Sequence, residues 1–107
     1  MATLHITDHA HQRWGERYSR SQPLPSYYLK KAADRLFPRK AVSYVVACDI
    51  YDEQDDFLTR AVFRPSDYGE NVMLNTTILD QDMLGSPHIN VFTTYHAADN
   101  SIAIISQ

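Results

Sequence analysis

Pro38 divides the chain by period. Before it, Leu29, Ala32, Ala33, Leu36 and Phe37 recur at i, i+3, i+4, i+7 and i+8, the spacing of one buried helix face. Proline lacks an N–H and disfavours helix in the residue before it, so the spacing predicts a helix over 26–37 that stops there. Beyond Pro38 the apolar residues alternate or run on continuously, as strands do. A chain that starts helical and ends in strands is predicted to be α+β. The expected architecture is two N-terminal helices packed on one face of a four- to five-stranded antiparallel sheet, in a single domain over 1–107.

The other helix is predicted over 8–19, capped by Thr7 or Asp8, whose short side-chain oxygen can accept from the first free helical N–H groups. Ala10, Trp14 and Tyr18 form its apolar stripe; His9, Arg13 and Arg17 lie one position earlier along the same repeat. Leu4–Ile6 reads as a short strand or a lead-in. Strands are predicted at 41–49, 57–64, 71–79, 89–96 and 101–105, with turns at the Gly, Pro and Asp clusters between them. Alternation puts Arg60 and Arg64 on one face of the 57–64 strand, and Tyr95 and His96 on opposite faces of the 89–96 strand. Trp14, Leu29, Ala33, Leu36, Val45 and Phe92 are expected in the core.

The 107 residues carry a net charge of −3, unevenly spread. Residues 1–40 hold eight Lys and Arg against three acids, +5; residues 41–107 hold two against ten, −8. A basic N-terminal segment can meet phosphate even though the whole chain is acidic. No apolar run approaches the ~18 residues of a membrane span. No basic-then-apolar leader opens the chain, so the expected location is the cytoplasm and no membrane partner is expected.

Three glycines leave no room for a phosphate-binding loop, and G-x-S-x-G and H-E-x-x-H are absent. The five histidines lack metal-ligand spacing, so neither a metal nor another cofactor is expected. Cys48 sits inside an apolar run and reads as a buried, inert thiol. Asp49, Asp52, Glu53, Asp55 and Asp56 lack the regular spacing of a calcium loop and read as a solvated turn.

The most specific stretch is His9-Ala-His-Gln-Arg13-Trp-Gly-Glu-Arg17. It resembles the opening helix of short members of the RelE/barnase-like ribonuclease superfamily, which begin His-Ala-x-x-Arg with a second Arg four residues later. Val91-Phe-Thr-Thr-Tyr95-His96 is similar to the strand with which such proteins end. The resemblance implies a small ribonuclease-like domain, either a metal-independent endoribonuclease or an RNA-binding relative, with the fold of two helices and a four-stranded antiparallel sheet. Cleavage by 2′-OH attack needs a base, an acid and cations on the phosphate. His9, Arg13 and His96 are the candidate catalytic residues. Arg17, Arg60 and Arg64 are candidate phosphate-binding residues, and Tyr95 a candidate base-stacking residue.

A reading of a different class is a small acidic phage- or plasmid-type protein that binds and inhibits a host protein without catalysis; the −8 segment could face a basic partner. The expected partner is therefore RNA or a host or cognate protein. A homodimer joined through an exposed strand edge is compatible with both.

Overall fold

The computed structural model describes residues 3–36, 45–66, 72–80, 89 and 91–105. Its elements are β1 (Thr3–Ile6), α1 (Asp8–Arg17), α2 (Ser26–Leu36), β2 (Val46–Tyr51), β3 (Phe57–Pro65), β4 (Val72–Leu79), β5 (Val91–His96) and β6 (Ser101–Ile105). The α+β class holds, with two helices and one sheet, but the sheet differs from expectation. It has six strands in the order β1-β4-β3-β2-β5-β6, and it is mixed. β2 to β4 form an antiparallel meander, whereas β1 runs parallel to β4 and β5 parallel to β2. The four residues Thr3–Ile6 are a full member of the sheet, so the helices follow a strand rather than open the fold.

Local chemistry explains the helix starts. Thr7 caps α1: its Oγ1 accepts from the Ala10 N–H at 3.2 Å. The same hydroxyl lies 3.0 Å from the carbonyl oxygens of Asn75 and Thr76, and the Thr7 N–H donates to Asn75 O, so the cap also ties α1 to β4. α1 ends at Arg17, two residues before the expected end, where the N–H groups of Tyr18 and Ser19 both donate to the Trp14 carbonyl. In α2, the buried face is Leu29, Ala32, Ala33 and Leu36, as the spacing predicts. The expected stop at Pro38 and the first part of the 41–49 strand lie outside the described residues.

The sheet divides two apolar clusters. On one face, Ala10 of α1 and the α2 stripe pack on Val46, Cys48, Ile50, Ala61, Phe63, Met73, Ile78, Tyr95 and Ile102. Trp14 joins this cluster only partly buried. On the opposite face, Ala47, Val62, Leu79, Ile89 and Phe92 form a smaller cluster, with Val45 part-buried against it. Phe92 is thus a core residue, but not under the helices. No helix among the described residues is long and apolar enough to cross a membrane.

Candidate functional site

α1 packs along β4, and its outer side carries His9, Gln12, Arg13 and Glu16. His9 and His11 are exposed, and neither side chain has a hydrogen-bond partner among the described residues. Arg13 is engaged by its own helix, with Nη1 donating to Glu16 Oε1 at 2.6 Å. That bond holds the Glu16 carboxyl below its ordinary range. Arg17 is engaged more deeply. β1 covers β4 only as far as Asn75. Past that point Arg17 Nη1 donates to Ile78 O and Tyr18 Oη to Leu79 O, each at 2.6 Å. Asp80 lies 3.7 Å from Arg17 Nε. Arg17 and Tyr18 therefore complete the sheet where β1 stops.

His96 stands far from this surface. It ends β5, on the sheet face away from the helices, and stacks on its register partner Tyr51 with ring centroids 5.1 Å apart. Its Nδ1 is 3.2 Å from Asp55 Oδ1. Asp55 is presented by the β2–β3 turn with φ at 62°, a left-handed conformation that aspartate tolerates better than most residues. Asp52 secures this turn: its carboxylate accepts from the N–H groups of Gln54 and Asp56. A cleft of about 320 Å³ opens here, lined by Asp55, His96, Ala98 and Asp99.

The structure does not bring His9 and His96 together. Three strand spacings separate β4 from β5, about 14 Å, and the imidazoles stand on opposite faces. A proton cannot pass between them through one water.

Arg60 and Asp49 are facing partners on β3 and β2. Arg60 Nε and Nη2 bond Asp49 Oδ1 and Oδ2 at 2.5 and 2.7 Å, a bidentate pair with side chains only 7% and 17% exposed. The Asp49 hydrogen bond raises the Arg60 pKa further above its ordinary value. Arg64, four residues along the strand, is exposed. Tyr95 cannot stack on a nucleobase: its ring is sealed in the core beneath the helices, with its hydroxyl donating to Asn100 Oδ1 at 2.8 Å. Its expected base-stacking role is corrected on that ground.

Sequence reasoning missed the partners of His96 and Arg60. Tyr51 and Asp49 both lie on the β2 face that carries these groups, and opposite charges on neighbouring strands were visible, but only the parallel β2–β5 register places Tyr51 beside His96. Comparison with family models, curated proteins and solved structures finds no match for this chain, so the ribonuclease-like expectation rests on the residues themselves.

Proposed function

We propose that the chain is an RNA-binding relative of the small ribonuclease-like domains, taking single-stranded RNA on the surface of β1, α1 and the segment that follows. One observation carries this reading: His5, His9, His11 and Arg20 on this surface are exposed and have no hydrogen-bond or ion-pair partner among the described residues, while Arg13, Arg17 and Arg60 are engaged. Guanidinium and protonated imidazole groups are the donors that phosphate takes. Cleavage through a His9–His96 acid–base pair is not part of the proposal, given their separation.

The test is fluorescence anisotropy of a labelled single-stranded RNA in EDTA. Two or three phosphate contacts predict about tenfold weaker binding between 50 and 200 mM salt. No binding at 50 mM salt would overturn the reading.

A second reading has its own observation. Glu53, Asp55, Asp56 and Asp99 are exposed together with part-buried Asp52 on the β2–β3 and β5–β6 turns, and could face a basic host protein without catalysis. A stoichiometric protein complex weakened by charge reversal at Asp55 and Asp56, in a chain that binds no RNA, would favour it.

A further inference from the structure

The Ser19–Leu24 segment folds back beside the end of α1. Ser19 Oγ accepts from the N–H groups of Ser21 and Gln22, at 3.2 and 3.1 Å. Trp14 Nε1 donates to the Gln22 carbonyl at 3.0 Å, which fixes both the segment and the indole. Between segment and helix lies a groove of about 580 Å³, within the ordinary size range of small-ligand sites. His11, Trp14, Gly15, Glu16 and Arg20 are among the residues that line it.

Gly15 marks this groove as more than a packing defect. A glycine inside a helix is destabilising relative to alanine, because it loses more backbone freedom and contributes no side chain. Here the backbone does not ask for it: Gly15 is not among the positive-φ positions, and a Cβ added there would meet only Arg20 Cγ, at an ordinary 3.9 Å. Packing would accept alanine. Without a methyl at Gly15 the aliphatic part of Arg20 borders the groove directly beside the helix backbone.

The chemistry around the groove is selective. Glu16 is offset by its bond to Arg13, while Arg20 is uncommitted, so the guanidinium is the groove's unbalanced charge. Beside it are a part-exposed indole, stacked against Tyr18 with ring centroids 4.9 Å apart, and the imidazole of His11, likewise uncommitted. An aromatic surface next to a guanidinium and an imidazole suits a planar ring attached to a phosphate. We infer that the groove over Gly15 is a nucleotide pocket, in which Trp14 contacts the base and Arg20 and His11 take the phosphate of one unit of single-stranded RNA. The inference rests on the RNA-binding reading and deepens it.

Trp14 is the one tryptophan in the chain, so its fluorescence reports this groove directly. Uridine 5′-monophosphate and a short oligouridylate should quench it. Arg20→Ala should weaken both ligands roughly tenfold, the worth of one charge-assisted phosphate contact. Gly15→Ala should weaken them while raising Tm, a pair of opposite changes that loss of fold cannot produce. If labelled RNA binds but leaves Trp14 fluorescence unchanged, and both variants bind it as well as the parent, the pocket is wrong while the RNA reading stands. Quenching by tetraglutamate but not by the mononucleotide would overturn the pocket in favour of an acidic peptide site. If neither RNA nor mononucleotide binds, both proposals fall.

Discussion

Replacing Asp49 by alanine removes the carboxylate from a nearly sealed guanidinium. Arg60 cannot escape by losing its proton, since arginine stays charged at any accessible pH. Breaking a buried pair from one side costs ~3–5 kcal/mol, because the remaining charge keeps its desolvation penalty and loses the part of its compensation that the carboxylate supplied. Asp49 is 17% exposed, so water can enter the vacated space, which places the expected loss at the low end, about 3 kcal/mol. Against a typical total of about 5–15 kcal/mol, that is a large fraction. In urea, with a slope of about 1–1.5 kcal/mol/M for a chain of this size, the midpoint should fall by about 2–3 M. The double variant Asp49→Leu with Arg60→Met should recover most of the loss, because an apolar pair of similar volume carries no desolvation debt. The reasoning is refuted if Asp49→Ala shifts stability by less than about 1 kcal/mol, or if the double variant is no more stable than the single one.

Leu36→Ala, at a fully buried position in the α2 stripe, should cost ~2–5 kcal/mol in urea unfolding; a loss under about 1 kcal/mol would mean that the site collapses around the gap. Burial pushes the Cys48 thiol up to about 12 from an ordinary value of 9.0. Native protein should therefore resist a thiol reagent at pH 8 and react only as fast as it unfolds, which a comparison with urea-unfolded protein checks. A raised folded value favours the protonated form, so stability is fully present below pH 9 and falls as pH climbs toward 12, where the unfolded chain sheds the proton first. Cys48→Ala should flatten part of that decline; urea midpoints at pH 8 and pH 10.5 measure it.

The parts of the fold that were legible in the sequence are those set by local period. The α2 stripe needs only five residues at helical spacing, and the alternation along β5 correctly separates Tyr95 from His96. What was not legible depends on distant partners. Leu4–Ile6 has too few residues to decide by period between a strand and a lead-in, and only its parallel pairing with β4 makes Thr3–Ile6 a strand. Parallel pairing leaves no mark on either strand alone. The charged candidates failed for a related reason: residue type announces a cation, but not whether the fold supplies it with a carboxylate, as for Arg60, or a carbonyl row, as for Arg17. The grouping of His11, Arg20 and Gly15 was not legible because a groove is made by a returning segment, not by spacing along one helix.

The mixed sheet also sets an order of assembly. β2, β3 and β4 join consecutive neighbours through antiparallel pairs, so they can associate once that stretch of chain exists. The two parallel pairs each close a long loop: Val46 meets Val91, and Thr3 meets Val72. Closing such loops costs entropy before any bond repays it, so these docking steps fall late in folding. Until they occur, β2 and β4 each show an open edge of unpaired backbone groups. During synthesis that interval lasts as long as the ribosome takes to deliver β5. A newly made meander is thus the species in which intermolecular strand pairing competes with folding, and the time this chain spends exposed is set by its topology rather than by its final stability.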